Sequence, residues 1–297
     1  MKKWLAAFRL RTLPLALSSI GMGSFMAASI GKFDALIFSL CASTTIFLQI
    51  LSNLANDYGD TVNGADHAER SGPSRMVQSG AISLNQMKMA MIIFVLLSLV
   101  SGLSLLYVAF GVDWKAFLFF LGVGVGAIIA AIAYTAGKRP YGYIGLGDLS
   151  VFIFFGIVGV VGSNYLFTKT FNYDLLLPAL SCGLFSVGVL NINNIRDIES
   201  DKKAGKYSVP VRIGRSAAVN YHTTIILLGV ISAGAYSIIN YNSPLQFLFV
   251  LMLPLFGVNI KAVKNKTNSK DLDPYLKQLA LSTMLFVILF GIGQYPF

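Results

Sequence analysis

The chain has 297 residues, of which 55% are hydrophobic and only 12% charged, with a mean hydropathy of +0.69. A soluble domain carries about 25% charged residues, so this composition excludes an ordinary globular enzyme and reads as a helical membrane protein. The formal net charge of +10 would suggest nucleic acid in a soluble protein, but the bases lie in short segments between apolar runs. Membrane topology accounts for them, and no nucleic-acid partner is expected.

A spanning helix needs about 20 mostly apolar residues. Nine stretches read this way, near 13–31, 35–56, 89–110, 115–135, 145–167, 174–195, 219–239, 245–262 and 276–295. The apolar run from Leu13 to Ile30 is longer than the core of a signal peptide and is expected to stay as the first helix. Pro244 and Pro254 interrupt the eighth stretch, which a bundle tolerates when neighbours satisfy the freed carbonyls. Cys41 and Cys182 sit inside apolar runs without metal-site spacing and read as packing residues. The predicted fold class is therefore all-α: a polytopic bundle of about nine transmembrane helices, with 1–297 forming one domain.

Loop charge orients this bundle. With the N-terminus inside, only Lys32, Lys115 and Lys169 of the 23 Lys and Arg fall in outer segments. The positive-inside rule asks for this asymmetry, and a miscount by one helix would scramble it. The expectation is a multi-pass protein of the cell inner membrane, N-terminus and acidic loops cytoplasmic, C-terminus outside.

Two inner segments, near 56–85 and 193–215, carry unusual chemistry. Each runs from an apolar helix through Asn to Asp residues, then Lys or Arg and Gly, and Asn56 and Asn193 lie 137 residues apart. This suggests a weak internal repeat, which a secondary transporter would also show. Six of the 13 acids fall here: Asp57, Asp60, Asp66, Asp197, Glu199 and Asp201. On a helix, Asp197 and Asp201 share one face with Asn193, and Asp60 shares a face with Asn56. Clustered carboxylates repel near a low-dielectric core, and a divalent cation relieves that. Magnesium takes oxygen ligands, commonly one or two carboxylates plus substrate phosphates, and Asn supplies a neutral oxygen or an amide donor. Arg75, Lys202, Lys206 and Arg212 follow the acids and suit a diphosphate. Gly59 and Gly64 are expected to break the helix after Asn56. His67 and His222 are assigned no chemistry, and His222 reads as a helix-end residue.

These motifs, Asn56-Asp57-Tyr58-Gly59-Asp60 continuing to Asp66, and Asn194-Ile195-Arg196-Asp197-Ile198-Glu199-Ser200-Asp201, resemble the UbiA superfamily of membrane prenyltransferases. Further segments are similar to its 1,4-dihydroxy-2-naphthoate polyprenyltransferase branch, which serves menaquinone synthesis. They are Phe8-Arg9-Leu10-Arg11-Thr12-Leu13-Pro14, Gly72-Pro73-Ser74-Arg75-Met76-Val77-Gln78-Ser79-Gly80, Tyr134-Thr135 and Tyr141-Gly142-Tyr143-Ile144-Gly145-Leu146-Gly147-Asp148. The 4-hydroxybenzoate branch usually has Arg where this chain has Thr61.

The resemblance implies a polyprenyl diphosphate and 1,4-dihydroxy-2-naphthoate as substrates, and Mg2+ as cofactor. Asp60, Asp66, Asp197 and Asp201 would hold magnesium, with Asn56 and Asn193 orienting the diphosphate. The naphthoate ring would attack the allylic cation, the prenyl group replacing the carboxylate as CO2. Tyr134 and Tyr143 would shield the cation with their π faces, and Lys138 and Arg139 would meet the acceptor carboxylate. Phe152, Phe154 and Phe155 would line the isoprenoid tunnel. The alternatives are another aromatic acceptor, such as 4-hydroxybenzoate, or a cation-coupled transporter. Oligomeric state and prenyl length stay open.

Overall fold

The computed structural model describes residues 2–65 and 75–295. Asp66 and His67 lie outside the described residues. Among the described residues there is no strand. A short helix, Lys2–Phe8, precedes the bundle rods, named here α1 (Leu13–Ala28), α2 (Ala35–Val62), α3 (Leu84–Phe110), α4 (Trp114–Ala133) and α5 (Gly147–Thr168). They continue as α6 (Tyr173–Arg196), α7 (Val209–Ile239), α8 (Pro244–Asn265) and α9 (Ser269–Gly293). The chain is an all-α polytopic bundle. Eight of its rods are long and apolar enough to cross a membrane, whereas α1, with 16 residues, is about 24 Å long and shorter than a full span.

Polar caps set the helix starts. Asp34 accepts the amides of Leu36 and Ile37 at the head of α2, Ser83 and Gln86 form a capping box before α3, and Asp113 accepts Ala116 N before α4. Two cores follow. One joins α6 through α9, where Phe185 stacks on Phe256 at 4.7 Å and meets Phe286 edge-on at 5.0 Å. The other joins α2 and α3 around Leu51, Leu54 and Met87, all fully buried. Helices α1 and α5 bridge them: α1 packs on α2, α5, α6 and α9. The middle of α5, Phe152–Gly162, is π-helical, a wider winding that often marks functional ground.

Three expectations change here. Helix α2 does not break at Gly59; it runs to Val62, so Asn56, Asp57 and Asp60 are helical rather than loop residues. The break comes at Gly64, whose φ of +77° suits glycine. Gly59 serves a close approach instead: a β-carbon there would lie 2.5 Å from the Thr135 carbonyl. Helix α7 starts at Val209, ten residues before its apolar part, and bends at Gly214. His222 is consequently not at a helix end; it is fully buried in α7, 3.0 Å from Asn259 Oδ1.

Candidate active site

The C-terminal ends of α2 and α6 meet, and with them the two acidic motifs. Asp60, at the end of α2, is buried; its Oδ2 accepts Arg75 Nη2 at 3.1 Å and its Oδ1 accepts the Tyr143 hydroxyl at 3.0 Å. Asp197 ends α6, and its two oxygens accept Nε and Nη2 of Arg196 at 2.8 and 2.7 Å. Asp201 follows on the short helix Ile198–Lys203, with Lys206 Nζ 3.4 Å from its Oδ1. Tyr143 and Lys206 connect the two motifs: the Tyr143 hydroxyl is on Asp60, and Lys206 Nζ, beside Asp201, lies 5.9 Å from the Tyr143 ring, with Asp197 near enough to act on the same ammonium. Burial pushes the Asp201 carboxyl up to about 6, against the lowering effect of Lys206 and with Asp197 and Asp60 adding to the rise. Burial alone would lower the Lys206 ammonium, but Asp60 and Asp201 outweigh it and hold Lys206 above the usual lysine range.

Each of these acids thus sits against a cation. Among the described residues no three metal-ligating side chains converge on one point. Among the described residues several buried oxygens nevertheless lack a partner, and Asn56 Oδ1, Asn194 Oδ1 and Asp201 Oδ2 among them belong to the two motifs. Buried polar atoms are rarely left so, and these are hard oxygen donors of the kind magnesium takes. Asn56, Asp60, Asp197 and Asp201 therefore fit a magnesium–diphosphate group.

The other sequence candidates divide. Asn193 Oδ1 accepts Arg196 Nη2 at 2.8 Å, so Asn193 orients the arginine behind Asp197. Arg212 is exposed and clamps backbone, donating to the carbonyls of Tyr207 and Ile144 at 3.0 and 2.9 Å, away from the acids. Lys202 is exposed. Lys138 and Arg139 are exposed on the turn after α4 and do not reach the site, because that turn carries Thr135 and Tyr134 inward instead. Asp57 is committed to backbone: its oxygens accept Met76 N at 3.0 Å and Val77 N at 3.2 Å, pinning the segment that carries Arg75. Sequence reasoning missed Arg196, fully inside the second motif. It is 2% exposed and joins Asp197, Asn193 and, at 2.8 Å, Asp273, which Arg11 also holds at 2.9 Å. The signal was there: an arginine before an acid in an otherwise apolar helix must find a partner.

A cavity of about 390 Å³ opens beside the acids, among α1 to α5. Asn56, Tyr134 and Tyr141 line its neck, and Phe154, Phe155 and Leu106 its apolar body. Phe152 does not join them; its ring lies against Gly183 of α6. Tyr141 bridges α4 and α5 by donating to Ala130 O at 2.8 Å and pairing with Ser150 Oγ at 2.9 Å. A second cavity, about 340 Å³, is lined by Arg9, Arg11, Arg75 and Arg196 together with Asp57 and Asn193.

The sequence profile described as the UbiA prenyltransferase family matches residues 16–289. The chain belongs to this family. A Haemophilus influenzae protein named 1,4-dihydroxy-2-naphthoate octaprenyltransferase is 42% identical over 295 residues, 99% of this chain and 96% of its own. An Escherichia coli protein of the same name is 43% identical over 290 residues, covering 98% and 94%. A solved UbiA homologue from Archaeoglobus fulgidus, bound to GPP and Mg2+, superposes with a TM-score of 0.71 at 16% identity, covering 98% and 99%. That likeness carries the fold.

Proposed function

We propose that this chain joins the isoprenoid of a polyprenyl diphosphate to 1,4-dihydroxy-2-naphthoate, releasing CO2 and diphosphate and yielding demethylmenaquinol, the reduced form of demethylmenaquinone. The observation that carries the reaction class is the juxtaposition of Asp60, Asp197 and Asp201 with a long apolar cavity whose neck is polar. The full-length identity to naphthoate octaprenyltransferases supports the acceptor. A transporter would keep its charges midway along the helices, whereas these acids sit at helix ends.

The chemistry divides among the residues. Asp60, Asp197, Asp201 and Asn56, with Asp66 beyond the described residues, would hold magnesium, which neutralises the leaving diphosphate when bound. Arg75, Arg196 and Lys206 lie beside those acids and would turn to the diphosphate oxygens. The allylic C–O bond breaks with its electrons on diphosphate. The ring carbon bearing the carboxylate bonds to the allylic carbon, and the C–C bond to the carboxylate breaks, returning its electron pair to the ring. Tyr134 at the neck offers its π face to the cation, and burial keeps its hydroxyl protonated by raising it above the usual tyrosine range. The loop charges support a site at the cytoplasmic face of the inner membrane.

Membranes carrying the protein, given Mg2+, the naphthoate and a polyprenyl diphosphate, are expected to form demethylmenaquinol, read as demethylmenaquinone after oxidation in air. Absence of product across several chain lengths, with turnover of 4-hydroxybenzoate instead, would reject the acceptor.

A further inference from the structure

The cavity neck carries a polar row on one face of α2: Gln49, Ser52 and Asn56, spaced three and four residues apart. The orientation of Gln49 follows from its neighbours. Thr12 Oγ1 donates to Arg9 O at 3.0 Å, so its one proton is used. The same oxygen must then accept from Gln49 Nε2 at 3.2 Å and from Asn53 Nδ2 at 3.0 Å. Asn53 is anchored in turn by Phe8 O at 2.9 Å. The Gln49 amide is thereby fixed with its nitrogen toward Thr12, which leaves its carbonyl oxygen for a ligand. A carbonyl oxygen accepts a hydroxyl proton and repels a carboxylate.

The rest of the lining agrees. Among the described residues, those bounding the cavity include Ser, Thr, Asn, Gln and Tyr but no Lys, Arg, His, Asp or Glu. The arginine-lined cavity shares no residue with it. A carboxylate gripped by a guanidinium would be stabilised against leaving, whereas one in a neutral, weakly polar site is not.

We infer that Gln49 recognises a ring hydroxyl of the aromatic acceptor, with Thr12 as its positioning residue, and that the acceptor carboxylate is bound without an ion pair. The inference rests on the function proposed above. It makes the site selective for a ring in its hydroxylated, reduced form and indifferent to the carboxylate that is lost.

Release of CO2 from carboxyl-labelled naphthoate by the full-length protein in membranes separates the two readings. No release from the wild type rejects the proposed function. Given release, two competitors test the inference: naphthalene-1,4-diol, which lacks the carboxylate, and 1,4-dimethoxy-2-naphthoate, which lacks hydroxyl protons. The diol is expected to compete within about fivefold of the naphthoate and the dimethoxy compound about a hundredfold more weakly, since a site built for a hydroxyl rejects analogues without one. The reverse ranking would overturn the inference, because a lost ion pair costs about thirtyfold or more. Gln49→Leu is expected to raise the naphthoate KM more than about tenfold and to erase the ranking. Thr12→Val is expected to follow it, with Thr12→Ser restoring both; unchanged KM and ranking in Gln49→Leu would equally overturn it.

Discussion

At the scale of single residues, the site is a set of acids already satisfied by bases. Asp197 and Arg196 make a buried two-point pair, so Asp197→Ala does more than remove a metal ligand. It strands a guanidinium that keeps only Asn193 and Asp273. Breaking a buried pair costs about 3–5 kcal/mol, and the remaining partners offset part of that. Asp197→Ala is therefore expected to abolish prenyl transfer and to lower the melting temperature in detergent. Asp201→Asn leaves Lys206 an amide oxygen in place of the carboxylate and the Asp60 charge nearby, so it is expected to abolish transfer with a smaller melting shift. Equal melting shifts in the two variants would refute the distinction. Arg196→Lys keeps the charge but loses the fork, and about a hundredfold drop in kcat is expected as Asp197 loses its orientation. The motif spelling pointed to Asp60, Asp197 and Asp201. It could not show that Asp57 caps backbone, since its partners, Met76 and Val77, lie 19 and 20 residues further along the chain.

At the scale of elements, apolar runs located every rod, but not the ends that build the site. The apolar part of α2 stops near Asn56, and the polar turn beyond it, to Val62, stays helical because it is packed rather than solvated. Gly59 lets it pack: the backbone of Thr135 lies where a β-carbon would be, Asn63 Nδ2 donates to Thr135 O at 2.8 Å, and Thr135 donates to Ala55 O at 3.0 Å. Helix propensity favours Gly59→Ala by about 1 kcal/mol. Forcing a methyl to 2.5 Å from a carbonyl costs about 1–3 kcal/mol, with no flexible side chain to yield. The clash prevails, so Gly59→Ala is expected to destabilise the protein and, by moving the turn bearing Tyr134, to reduce turnover; thermal unfolding and CO2 release read the two effects. Lys138 and Arg139 were attractive in the sequence because they are basic and sit beside Tyr134. Their outward placement was illegible, because the side of a turn that faces the bundle depends on which backbone it meets.

At the scale of the whole molecule, the two cores are sewn together by α1 and α5, and the cavity lies along that seam. Gly124 of α4 lines it and would meet nothing within 4 Å if it bore a β-carbon. Gly124→Phe is thus expected to fill cavity rather than clash. It should raise KM for long polyprenyl diphosphates more than about tenfold while sparing a ten-carbon one, as a comparison across chain lengths would show. The fold class was legible from hydropathy. The cavity was not, because its walls come from five helices whose apolar faces look alike in sequence.

Among the described residues, the pairing of Asp60, Asp197 and Asp201 each with a base has a kinetic consequence. Bare magnesium would have to evict Arg75, Arg196 or Lys206 from the carboxylates and leave a buried cation stranded. Metal arriving already bound to a diphosphate brings the replacement anion with it. Velocity is accordingly expected to follow the concentration of the metal–substrate complex, with metal-free diphosphate acting as a competitor and added free magnesium contributing no activation of its own. Initial rates on a grid of magnesium and polyprenyl diphosphate concentrations distinguish this joint entry of metal and substrate, in which rate tracks the complex, and a sequence in which the bare ion binds first and activates by itself.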